Sequence, residues 1–175
     1  FSEDIEHQTT LEGLAPVSRK AMSIIGVLLR EGARATNIIR IISELNDRVV
    51  RKVLELAERE LGPPPVPYCW LALGSEGRKE QTFRTDQDNA LIYADVFDSQ
   101  KPRVAEYFRR FAVFMRNGLV QCGFEACPAN YMAHLAAVLP NHNMMEVLDA
   151  GADQGMIHRH TVQDGYVVLS DDPGL

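Results

Sequence analysis

The chain has 175 residues, enough for one ordinary domain or for a small domain with a helical extension. Its 24 acidic and 18 basic residues leave a net charge of −6 and a pI near 5.4, which argues against a general nucleic-acid binder with the usual basic footprint. No apolar run approaches the ~18 residues of a membrane span, and the acidic opening, Phe1 to Thr10, lacks the apolar centre of a secretory signal.

The three cysteines, Cys69, Cys122 and Cys127, are an odd number without Cys-x-x-Cys spacing. That pattern fits a reducing, cytoplasmic setting with buried thiols better than a disulfide scaffold or a zinc site. The first residue is not methionine, which suggests a piece of a longer protein.

Residues 11 to 31 place apolar side chains at helical spacing (Leu11, Leu14, Ala15, Met22, Ile25, Leu28) and end at Gly32. From Thr36, a candidate cap, a second periodic stretch runs to about Leu61. The link Gly-Ala-Arg-Ala is short, so an antiparallel helical hairpin is expected over residues 1–62. Packing on the rest of the chain is its expected physical role, and coupling to a regulatory domain upstream is a further hypothesis. Gly62-Pro63-Pro64-Pro65-Val66-Pro67 then stops any helix and imposes an extended connector.

The stretch Tyr68 to Asp95 carries the chemistry. An apolar run, Tyr68 to Leu73, meets Gly74-Ser75, where glycine allows a sharp turn and close approach to a ligand. The following Glu-Gly-Arg-Lys-Glu-Gln can open a helix, and N–H groups at a helix start attract phosphate. Eleven residues after Ser75 come Asp86 and Asp88, at i and i+2. On one continuous strand their carboxylates would share a face, about 6 to 7 Å apart along the chain. Two such carboxylates repel unless a cation lies between them, and their hard oxygens suit magnesium, which is held by a few carboxylates plus substrate phosphates. Arg78, Lys79 and Arg84 are near enough in sequence to meet phosphate charge, although a solvated surface position serves each equally well. The spacing of a P-loop is missing, and no Gly-x-Gly-x-x-Gly occurs.

After a loop at Phe97 to Pro102, Val104 to Val120 reads as an amphipathic helix. Its aromatic stripe of Tyr107, Phe108, Phe111 and Phe114 is a core face, with Arg103, Arg109, Arg110 and Arg116 outside. Gly123 to Cys127 reads as a short strand closed by Pro128. Glu125, its acid, either completes a metal site or faces solvent. Farther on, Met144 to Ala150 suggests one or two helical turns and Gly165 to Ser170 a strand. His158 and His160 alternate as strand neighbours do, but surface or packing histidines are commoner than ligands.

Gly-Ser, a charged spacer and Asp-x-Asp heading an apolar strand resemble the polymerase-beta-type nucleotidyltransferase superfamily. The wording Ala-Leu-Gly-Ser-Glu-Gly-Arg-Lys-Glu-Gln-Thr, then Thr-Asp-Gln-Asp-Asn-Ala-Leu-Ile-Tyr, is similar to a nucleotidyltransferase domain related to the amino-terminal domain of PII-protein uridylyltransferases. That domain occurs in bacterial signalling proteins beside CBS and cyclic-nucleotide-binding domains. The resemblance spans roughly residues 10 to 134, including Gly-Phe-x-x-Cys-Pro-x-Asn-x-Met-Ala at 123–133, and departs at His134 to Ala137.

The resemblance implies an α/β (α+β) fold with a small mixed β-sheet over 63–134, preceded by the hairpin and followed by an extension of uncertain assignment at 135–175. It implies that Gly74 and Ser75 hold nucleotide phosphates, that Asp86 and Asp88 hold catalytic Mg2+ (one or two ions, with Mn2+ as a substitute), and that Glu125 is the candidate third ligand. The implied reaction moves a nucleoside monophosphate from UTP or ATP to a hydroxyl of a signalling protein or small molecule. The alternative is a catalytically inactive module that senses Mg-nucleotide and passes occupancy to a partner.

Overall fold

The computed structural model describes residues 2–84 and 86–126, together with the backbone of strands at 138–140, 160–163 and 166–169. It is an α+β fold with a helical amino-terminal end. A single turn, α1 (Ser2–Glu6), precedes the hairpin of α2 (Leu11–Arg30) and α3 (Ala35–Leu61). The Thr10 hydroxyl caps α2 by accepting from the Gly13 N–H at 3.2 Å. Gly32, at φ +93°, makes the turn between the two helices. Thr36 is not the cap expected of α3; the helix already includes Ala35 and starts from Arg34 without a side-chain cap.

Strand β1 (Tyr68–Ala72) is followed by α4 (Gly74–Gly77), β2 (Asp86–Gln87), β3 (Asn89–Tyr93), α5 (Lys101–Cys122) and β4 (Glu125–Ala126). Strands β5 (Val138–Pro140), β6 (His160–Gln163) and β7 (Tyr166–Leu169) complete a mixed five-stranded sheet ordered β5-β3-β1-β7-β6. β1 lies at its centre, antiparallel to β3 with Trp70 opposite Leu91, and parallel to β7. β2 and β4 form a separate parallel pair. The strand expected within 165–170 is β7. Cys127, Pro128, the segment 130–137, the helical turns expected at 144–150 and His158 lie outside the described residues, as does the side chain of His160.

One apolar cluster runs from Ile5 through the hairpin to Trp70, Leu91 and Tyr93 of the sheet and on to α5. α5 is the layer between. Phe108 stacks on Tyr93 at 5.1 Å between ring centres, and Phe111 meets Tyr68 edge-on at 5.2 Å, so the aromatic stripe is core. On its other side α5 presses against the hairpin so closely that a Cβ on Gly118 would lie 2.8 Å from Val53 Cγ1. The opposite face of β1 and β3 carries a smaller cluster of Leu71, Ala90 and Ile92. Burial on both faces explains why these strands read as continuous apolar runs.

The proline-rich connector is tied down at both ends, Tyr107 donating its hydroxyl to the Gly62 carbonyl at 2.6 Å and Ala94 its N–H to Pro67 at 2.9 Å. Cys122 is buried and its thiol is pushed up to about 12, which makes it a packing residue. Among the described residues no helix is long and apolar enough to cross a membrane.

Candidate active site

The Gly-Ser turn and the aspartate pair meet. β1 is followed by Leu73, whose N–H donates to the Asp88 carbonyl at 2.8 Å, and the chain turns directly into the four-residue helix α4. Gly74 sits at φ +56°, and a Cβ built on it would run into the Asp88 carboxylate, with Cγ at 3.3 Å. Glycine is required here twice over, for the left-handed backbone and for the room that Asp88 occupies. The first intrahelical donor of α4 is Gly77, to Leu73 O at 3.1 Å. The N–H groups of Gly74, Ser75 and Glu76 therefore precede the helical ladder, as donors at a helix start do. Lys79, at φ +54°, and the Glu80 N–H, donating to Ser75 O at 2.9 Å, close the turn.

The aspartates do not lie on one continuous strand. Asp86 belongs to β2 in the two-stranded sheet, β3 begins only at Asn89 in the five-stranded sheet, and Asp88 is the step between them. The expected i, i+2 alternation along a single strand is thereby corrected: Asp88 is steered by its backbone bond to Leu73. Both aspartates are half-buried. The β2–β4 register sets Glu125 opposite Asp86, and the exposed Glu125 side chain lies 4.0 Å from Arg84 Nε. Among the described residues, no three acidic, histidine or cysteine side chains converge closely enough to hold a metal ion between them. Asp86, Asp88 and Glu125 thus share a neighbourhood without forming a closed cage.

Two acids that sequence reading missed stand behind the pair. Glu76 is 2% exposed, and its Oε1 has no hydrogen-bond partner. Burial first, then the negative charges of Asp47, Asp88 and Asp86, hold its carboxyl well above the usual range. Asp47 arrives from α3, where Ser43, Asn46 and Asp47 are all buried beside the stripe of Ile42, Leu45, Val49, Val50 and Val53. Polar residues on the apolar face of a helix were the available signal for Asp47. Glu76 gave none, because a glutamate between Ser75 and Gly77 reads as a solvated turn.

Each cation in the segment from Arg78 to Arg84 faces an acid. Arg78 Nε lies 2.9 Å from Glu80, Lys79 Nζ 3.8 Å from Asp47, and Arg84 Nε 4.0 Å from Glu125. The two pairs whose acids are exposed, Arg78–Glu80 and Arg84–Glu125, contribute about 0 to 1 kcal/mol each, so those cations can exchange partners at little cost.

The donor set fits a hard divalent cation. Its oxygens are carboxylates, and Asp86 and Asp88, together with Asp47, place negative charge around the buried Glu76 carboxyl, whose pKa is raised first by burial and then by those charges. A family model described as "Putative nucleotidyltransferase DUF294" matches residues 19–155. No curated protein and no solved structure matches the chain.

Proposed function

The chain belongs to the nucleotidyltransferase family DUF294, and on that premise we propose that it transfers a nucleoside monophosphate from UTP or ATP to a hydroxyl of a protein or small-molecule acceptor in bacterial signalling. The new bond joins the acceptor oxygen to the α-phosphorus, the hydroxyl proton is released to solvent, the bond to the β-phosphate oxygen breaks, and pyrophosphate leaves with its charge. The observation that supports this reading most is the close approach of Gly74 to the Asp88 carboxylate, which brings the Gly-Ser turn and one aspartate of the pair together.

In this reading Gly74 and Ser75 grip the phosphates through the N–H groups at the start of α4. Arg78, Lys79 and Arg84 leave their present acidic partners for the triphosphate, where charge-assisted bonds are stronger. Asp86 and Asp88 hold Mg2+, or Mn2+ in its place, with Glu125 as the third candidate ligand beside Asp86. When bound, the ion neutralises triphosphate charge and lowers the pKa of the attacking hydroxyl. The protein's own share is positioning and fixed charge.

The pairing of Glu125 with Arg84 favours one second reading. If that pair persists when nucleotide binds, the third acid is withheld and the domain is a Mg-nucleotide sensor. CBS or cyclic-nucleotide-binding domains upstream are the partners proposed for either role.

Each α-labelled NTP with magnesium, incubated with wild type and with Asp86→Ala/Asp88→Ala in the presence of cell extract, separates the readings. Label transferred by wild type alone establishes transfer and names the base. If nothing is labelled yet nucleotide raises the melting temperature only with magnesium and intact aspartates, the domain is a sensor. If nucleotide does neither, the site itself is misassigned.

A further inference from the structure

A concavity lies where the hairpin, the carboxyl end of α5 and the segment before β2 come together. Its volume is about 180 Å3, and its walls include Arg19 and Met22 of α2, Asn46 of α3, Phe83 and Phe124. Phe124 is buried while Glu125, the next residue, is exposed, so the concavity sits on the side of this segment opposite the Glu125 carboxylate.

Size narrows the occupant. Pockets for drug-sized ligands run to about 300 Å3 or more, whereas an apolar cavity of about 150 Å3 takes a single benzene ring. The concavity therefore suits a one-ring or short-chain molecule and is too small for a nucleotide. Chemistry narrows it further. Asn46 is 2% exposed, yet its Nδ2 has no hydrogen-bond partner. A buried donor left unmatched costs about 1 to 3 kcal/mol, which an acceptor brought in by a ligand would recover. At the mouth, the exposed Arg19 is steadied by Nη1 donating to the Gln121 carbonyl at 2.5 Å. The Ser18 hydroxyl on the same wall is already committed to Cys122 O at 2.9 Å. No described wall residue is acidic, and Met22, Phe83 and Phe124 supply an apolar lining.

We propose that this concavity is a binding site for a small organic carboxylate, its anionic end held by Arg19 and the Asn46 amide and its apolar body lying against Met22, Phe83 and Phe124. Two elements of the candidate active site border it. Phe83 lies in the segment that leads into Asp86, and Asn46 is the neighbour of Asp47 on α3. An occupant would bridge the hairpin to that segment, which makes this an effector site bordering the proposed site of transfer.

Benzoate is the probe, with benzyl alcohol as its neutral counterpart of equal size, each titrated into the isotope-labelled 175-residue chain and followed by amide and side-chain resonances. Saturable benzoate shifts confined to the wall residues are expected, with benzyl alcohol about tenfold weaker for want of a charge-assisted bond. Arg19→Gln should abolish that preference, and Phe83→Ala should weaken both probes alike while keeping it. Both residues are at least partly exposed, so the fold should survive, and the dispersion of untouched resonances verifies it. Equal binding of the two probes, a preference that survives Arg19→Gln, or shifts that never saturate would each overturn the proposal. No nucleotide is needed for this readout, so its failure is separate from a failure of the transferase reading.

Discussion

Gly74 is where sequence and site meet most closely. An alanine there has to adopt φ +56°, which costs about 1 to 2 kcal/mol for a residue with a Cβ, and it also displaces the Asp88 carboxylate. Gly74→Ala should therefore lower stability by about 1 to 3 kcal/mol, read as a shift of the urea midpoint, and should reduce magnesium-dependent nucleotide binding more than a surface alanine does. An unchanged midpoint would mean that the turn relaxes and that the contact with Asp88 carries no constraint. Glu76 leads to a prediction in pH. Its carboxyl is raised above the ordinary 4.5 by burial and by Asp47, Asp88 and Asp86, so the folded chain holds a proton that the unfolded chain releases. Between those two pKa values folding takes up a proton, and stability falls as pH rises. In EDTA, Glu76→Gln should match wild type near pH 4 and become progressively the more stable of the two above about pH 4.5; parallel stability curves would contradict this. The meeting of the Gly-Ser turn with Asp88 was legible because these residue types are tied to local geometry. Glu76 and Asp47 were not, since a buried charge reveals itself only when distant elements enclose it.

At the scale of elements, periodicity located the long helices to within a few residues. α2 was expected at 11–31 and is Leu11–Arg30, while α5 was expected from Val104 and begins at Lys101. Pro102 explains the earlier start, being suited to a first turn whose N–H groups have no partners. The break of the strand at Asp88 was illegible, because it depends on β2 finding β4 nearly forty residues later in the chain. Gly118 is another contact hidden from local pattern. Within α5 a glycine is a weak helix former, and Ala is better by about 1 kcal/mol in an exposed helix. Here a Cβ would stand 2.8 Å from Val53 Cγ1 and 3.0 Å from Leu11 Cδ2, so steric cost should outweigh propensity. Gly118→Ala should destabilise by about 1 to 3 kcal/mol, as overpacked cores do. Val53→Ala by itself leaves a cavity, but combined with Gly118→Ala it should cost less than the sum of the two. A double-mutant cycle by urea unfolding measures that coupling, and strict additivity would show that the helices separate instead.

For the whole molecule, the question is whether the hairpin is an accessory or part of the foundation. Phe108, Phe111, Met115 and Leu119 of α5, each no more than 1% exposed, belong to the same cluster as Leu14, Val49, Val50 and Val53 of the hairpin. Burying one such side chain contributes about 1.5 to 3 kcal/mol. Uncovering even half of that shared surface approaches the whole 5 to 15 kcal/mol of a typical domain. Asp47, which faces Lys79, would be lost as well, and with it the one described ion pair between the hairpin and the Gly-Ser turn. The fragment 63–175 retains every described strand and both candidate ligand aspartates, so a self-sufficient catalytic core would fold and bind without the hairpin. We expect the opposite. The fragment should lack cooperative thermal unfolding and the near-ultraviolet signal of Trp70, which is 1% exposed in the intact chain, and residues 1–62 added in trans should restore part of both. A fragment that unfolds cooperatively and binds Mg-nucleotide like the intact chain would make the hairpin a dispensable cover. The expected result makes it a structural half of the candidate site, through which a displacement of α3 reaches Asp47 and the Gly-Ser turn directly.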